Sequence, residues 1–173
     1  MHFVGANAET TLSGRDEQEG KTNYFNGNDP TKWQSNVPTF ARVRQENIYT
    51  GVDLEWYSNK NQELEYDLHV QPNANVNQIE IEFAGADNVA INDNGELVIE
   101  TAAGTIKHRA PISYQEASGN RNEVKSRYEL RGETRIGFAI GDYDRTQPLV
   151  IDPTLVLSTF LGGSVRDSGA GIA

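Results

Sequence analysis

From Phe40 onward the chain is written in short runs in which apolar and polar residues alternate. Alternation with period two puts successive side chains on opposite faces of a sheet, so each run predicts a half-buried strand. Such runs occupy Phe40–Arg44, Asp53–Tyr57, Glu63–Val70, Gln78–Phe83, Asn88–Ile91 and Glu96–Glu100. They continue through Thr105–Lys107, Ile112–Glu116, Val124–Leu130, Arg135–Ile140 and Leu149–Ile151. Ser58–Gln62 predicts one hairpin turn, and Asn92–Gly95 predicts a second, of type I′. Residues 6–39 are polar and rich in Asn, Gly and Thr. They predict a long loop holding one short strand at Thr22–Phe25, a turn at Asn28–Pro30 and a local packing anchor at Trp33. Nowhere do apolar residues recur at helical spacing over three turns. The expected fold is all-β with little helix: a β-sandwich or related two-sheet antiparallel architecture over residues 1–153.

Composition narrows the partners. Lys plus Arg number 15 and Asp plus Glu 25, a formal net charge of −10. That field repels a phosphate backbone and an anionic membrane surface, so nucleic acid is not an expected partner. With no cysteine, thiol catalysis, disulfides and Cys-ligated metals are excluded. No apolar run approaches the roughly 20 residues of a membrane-spanning helix, so membrane insertion is not expected. Met1–Gly5 has neither the basic nor the apolar region of a signal peptide, and the Gly-rich pattern runs on to Ala173. The chain therefore reads either as a cytoplasmic protein or as a piece of a longer polypeptide, and its Gly-rich end favours the second.

The strongest chemical feature is the hairpin from Asp53 to Val70. With the alternation in phase, Leu54, Trp56, Leu64, Tyr66 and Leu68 share one face. Asp53, Glu55, Glu63, Glu65, Asp67 and His69 share the other. Like charges opposite one another on paired strands are destabilising, so something must compensate. Arg42 and Arg44 on a neighbouring strand, with solvent screening, are the first expectation. A calcium site built from Asp53, Glu65 and Asp67 is the second, and calcium is the one cofactor these acids suggest. The third is a sugar-binding or glycosidase site using Glu55 and Glu65, with Tyr57 on the same face. Trp33, Trp56, Tyr24, Tyr49 and Tyr57 form either a sugar-stacking platform or core, and core is the commoner fate of aromatics in β proteins. Asn92–Glu96 lacks the ligands of an EF-hand loop, because Ala90 and Thr101 stand where oxygen ligands are required. His2, His69 and His108 show no metal-ligand spacing. Asp144 and Arg145 are expected to lock the turn leading to Pro148, and Asp152 with Pro153 to mark the domain exit.

After Pro153 the composition changes. Ser158–Ser164, followed by Asp167–Ala173, resembles the opening of an SBBP (seven-bladed β-propeller) repeat of bacterial surface proteins, with Phe160 in place of the usual Tyr. Val4–Asn7, Asn23–Pro30, Trp33, Asn36–Pro38, Gly51–Asp53, Leu64–Asp67, Tyr143–Arg145 and Pro148–Pro153, in that order, resemble the domain found just before such repeats. The resemblance spans nearly the whole chain and implies a domain at 1–153, followed at 154–173 by the truncated start of a propeller repeat. It also implies a secreted or cell-surface, multidomain bacterial protein. The family supplies no established catalytic residues. The expected function is a non-catalytic structural or binding module whose partners are the downstream propeller repeats of the same polypeptide, with surface polysaccharide or protein beyond them. A carbohydrate-binding or glycoside-active sandwich using the acidic face, and a calcium-stabilised adhesion-type module, are the alternatives.

Overall fold

The computed structural model describes residues 1–60, 64–117 and 119–156. The expected repeat opening, apart from Thr154, Leu155 and Val156, lies outside the described residues, as does Glu63. Strands dominate. The first seven are β1 (His2–Phe3), β2 (Leu12–Tyr24), β3 (Gln34–Tyr49), β4 (Val52–Ser58), β5 (Leu64–Val70), β6 (Ile81–Glu82) and β7 (Asn88–Ile91). There follow β8 (Leu97–Thr101), β9 (Gly104–His108), β10 (Ile112–Ala117), β11 (Asn120–Val124), β12 (Ser126–Leu130), β13 (Arg135–Ile140), β14 (Leu149–Asp152) and β15 (Leu155–Val156). The described helix is two 3-10 turns, Pro30–Lys32 and Val76–Gln78.

The expected all-β, antiparallel sandwich-like architecture holds, with the strands distributed over three sheets. A seven-stranded sheet has the order β11-β10-β14-β5-β4-β3-β2, and two four-stranded sheets have the orders β1-β6-β13-β12 and β15-β9-β8-β7. Each pairing is antiparallel. One core serves all three. The large sheet contributes Val52, Leu54, Tyr66, Leu68, Val70, Leu149 and Ile151. Ile81, Tyr128, Ile136 and Phe138 come from one small sheet, and Val89, Leu97 and Ile99 from the other. Each such side chain gains about 1.5–3 kcal/mol over exposure. His108 is buried beside them, its ring edge-on to Phe83 at 5.8 Å.

Residues 6–39 differ from the expected loop. Most of them belong to a long hairpin, β2 with β3, paired from Leu12 opposite Gln45 to Tyr24 opposite Gln34. Up to Phe40 both its faces are largely exposed, so no apolar alternation announces that part of it. Backbone pairing, register shifts after Glu17 and Thr22, and Phe40 lying over Gly14 hold it instead. At its tip Phe25 and Trp33 meet edge to face at 5.3 Å, and Trp33 Nε1 donates to the Gly27 carbonyl. The Asn92–Gly95 turn is also not type I′, which needs two residues at positive φ. Only Gly95 is positive there, and the Asn92 carboxamide closes the loop by accepting from the Asn94 and Glu96 N–H groups.

Candidate functional site

Alternation on β4 and β5 separates the hairpin as expected. Val52, Leu54, Tyr66, Leu68 and Val70 enter the core, and Asp53, Glu55, Tyr57, Glu65, Asp67 and His69 occupy the opposite face. That second face is not a solvated surface. Asp53, Glu55, Glu65 and Asp67 are each only 7–9% exposed. The register sets Asp53 opposite His69, Glu55 opposite Asp67 and Tyr57 opposite Glu65. Strand order then brings Arg42 and Arg44 alongside from β3, and Asp152 and Tyr114 from β14 and β10.

The expected arginines do compensate. Arg44 Nη2 lies 2.8 Å from Asp53 Oδ2, while the Asn47 N–H donates to Asp53 Oδ1 at 2.7 Å. Arg42 reaches Glu55 at 3.5 Å and Asp16 at 3.3 Å, with its guanidinium 4.7 Å from the centre of the Tyr57 ring. Asn59 donates to Glu65 at 2.8 Å, and the Tyr57 hydroxyl donates to Asp67 at 3.1 Å. Arg121 lies over the Tyr114 ring at 3.4 Å.

Protonation differs sharply along this face. Burial, reinforced by the charge of Asp152, pushes the Asp67 carboxyl up to about 7, against the pull of its hydrogen bond from Tyr57. Burial and the charge of Glu65 likewise raise Asp152. Burial would raise Asp53 too, but the Asn47 N–H and the Arg44 guanidinium outweigh it and hold that carboxyl below its ordinary value. His69 is lowered by burial and by Arg44. The Tyr57 hydroxyl is raised by burial and by the charge of Asp67. The face therefore carries one acid that keeps its proton near neutrality, set directly across from a second carboxylate.

The structure brings Glu55, Tyr57, Glu65 and Asp67 together, but Glu55 faces Asp67 rather than Glu65. Asp53 sits one further pair along, occupied by Arg44 and Asn47. Among the described residues no three His, Asp or Glu side chains converge as metal ligands. The aromatic platform does not assemble. Tyr49 is buried with its hydroxyl within hydrogen-bond reach of the carbonyls of Val4 and Glu80, and Trp56 packs on Tyr66 at 5.1 Å, whereas Tyr24 and Trp33 stand at the distant hairpin tip. Asp152, Tyr114 and Arg121 escaped the sequence argument. For Asp152 the signal was the alternation of Leu149 and Ile151 with it. Asp144 locks its turn: its carboxylate accepts from the Thr146 N–H and hydroxyl, and the buried Gln115 side chain clamps its backbone, while the Arg145 carbonyl accepts from the Asn73 N–H at 2.7 Å.

The model of a family described as a domain of unknown function, DUF7948, matches residues 1–154. No curated protein and no solved structure matches the chain.

Proposed function

We propose that this chain, which belongs to the DUF7948 family, is a non-catalytic structural and binding module of a secreted or cell-surface bacterial protein, and that it orients a β-propeller placed after it. The observation that carries this reading is how the outgoing chain is held. Leaving β14 in the large sheet, it passes the buried Pro153 and enters a different sheet as β15. There Leu155 pairs with His108 and Val156 with Lys107, and the Arg109 N–H donates to the Thr154 carbonyl at 2.9 Å. A hinge would leave this backbone solvated. Ladder pairing and a proline instead restrict the direction in which the following segment departs. The test uses the polypeptide extended through its propeller repeats, with Val156→Pro to break the β15 ladder. Small-angle scattering should show a broader spread of interdomain distances, and the repeats should unfold at lower temperature. Repeats that fold and behave identically after removal of residues 1–153 would overturn the reading.

One observation favours a second reading, glycoside chemistry on the acidic face. Glu55 and Asp67 are a facing carboxyl pair of which one is raised to about 7, the division of labour that acid–base hydrolysis of a glycosidic bond requires. Reducing-end release from polysaccharides, lost in Asp67→Asn, supports it; no release by the unaltered chain removes it.

A further inference from the structure

The polar groups of the acidic face are largely committed to one another, whereas those around a trough elsewhere on the molecule are not. Two cavities, of about 200 and about 490 Å3, share Ile140 and Gly141 as part of their walls. Asn75, Asn77, Asp142, Tyr143 and Arg145 border the smaller. Glu123, Lys125 and Arg127 border the larger, which lies within the roughly 300–1,000 Å3 of ligand clefts. Here the chain crosses between sheets, since β11 ends at Val124 and β12 begins at Ser126. The Gly141 N–H donates to the Lys125 carbonyl at 2.7 Å. A side chain at Gly141 would press on that carbonyl at 3.3 Å, so glycine permits the close crossing that both hollows border.

We propose that this trough binds a saccharide chain. The side chains of Asn77, Glu123, Lys125, Arg127 and Asp142 make no hydrogen bond or ion pair among the described residues. Three cations, which only donate, are interleaved with two carboxylates, which only accept. A ligand of one charge sign satisfies one set and confronts the other. Sugar hydroxyls donate and accept, so a polyhydroxylated chain satisfies both. The half-buried Tyr143 adds an amphipathic ring for the apolar face of a pyranose, with Arg145 about its ring at 6.0 Å. Phosphate backbones and acidic peptides face Glu123, Asp142 and a net charge of −10.

Calorimetric titration of the 173-residue chain tests this, with a neutral β-linked hexasaccharide, a hexa-uronate and a hexaglutamate peptide as probes. The neutral saccharide should bind, and the hexa-uronate, which carries one charge sign, should bind more weakly. Tyr143→Ala should weaken binding about tenfold. Tyr143 also packs on the core, so Arg127→Ala and Arg145→Ala, at exposed positions outside the core, provide variants that spare the packing, and each should weaken binding several-fold. Glu65→Gln, on the acidic face, should leave it unchanged. The proposal is overturned if the neutral saccharide does not bind at millimolar concentration, if hexaglutamate or the hexa-uronate binds more tightly than it, or if Glu65→Gln abolishes binding that the trough variants retain.

Discussion

Glu55 lies directly across the β4–β5 hairpin from Asp67, with both side chains almost completely withdrawn from water. Two ionised carboxylates so placed would repel strongly. The sheet eases this by favouring the neutral form of Asp67. Arg42 approaches Glu55, whereas Asp67 lies between Tyr57 and the charge of Asp152 and holds its proton to about pH 7. The face is therefore less negative than its residue count suggests.

Asp53 joins the acidic face to the bulge of β3. Its carboxylate pairs with Arg44 and accepts from the N–H of Asn47, which sits at φ 52° between the shifted pairs at Gln45 and Tyr49. Asp53→Ala leaves a half-buried guanidinium and a strained turn without their partner, and should cost about 2–3 kcal/mol at neutral pH. The folded carboxyl is lower than its unfolded value of 3.8, so this contribution is present above that value and disappears as pH falls through the folded one. Urea unfolding should show wild type and variant separated at pH 7, with the separation shrinking as pH falls below 3.8. A separation that stays equal across that range would refute the assignment.

Gly51 closes the β3–β4 turn at φ +73°, and a Cβ there would stand 2.9 Å from the Cβ of Ala74. Gly51→Ala meets a left-handed backbone and a side-chain clash together, and should lower stability by about 1–3 kcal/mol. An unchanged denaturation midpoint would show that the turn relaxes freely.

The tip of the β2–β3 hairpin is stabilised locally. Phe25 and Trp33 contact each other and the loop, and both are exposed. Trp33→Ala should speed proteolytic cleavage between Tyr24 and Gln34 about tenfold while moving the global melting temperature by less than about 2 °C. A large fall in melting temperature would mean that the arm supports the core.

The same hairpin marks the limit of what the amino-acid pattern reveals. The β4 and β5 strands are legible because Val52, Leu54, Leu68 and Val70 repeat with period two against polar neighbours. The stretch from Leu12 to Phe40 buries neither face, so its pairing leaves no periodic trace. Site membership was legible for Asp53, Glu55, Tyr57, Glu65 and Asp67, because face follows from parity along a strand. Partnership was not: a two-residue slip keeps every side chain on its face yet moves the partner of Glu55 from Glu65 to Asp67. Asp152 and Tyr114 arrive through the strand order β10-β14-β5, which separation along the chain does not encode.

Two buried groups should act on stability in opposite directions over one pH window. Asp67 titrates at about 7 in the folded chain against 3.8 unfolded. Between these values the folded state holds a proton that the unfolded state has released, so stability falls as pH rises. His108, buried without a partner for its Nδ1, titrates at about 4 against 6.5. Between those values the unfolded state holds the extra proton, so stability rises with pH. The raised Asp152 acts with Asp67 and the lowered His69 with His108. Wild-type stability should therefore change little between about pH 4 and 7. Asp67→Asn keeps an acceptor for Tyr57 and removes the falling contribution, so its stability should climb by about 3 kcal/mol across that window. His108→Leu removes the rising contribution, so its stability should decline by a similar amount. Urea midpoints at closely spaced pH values measure both slopes. Two variants with parallel, wild-type-like profiles would show that neither group titrates as its burial dictates.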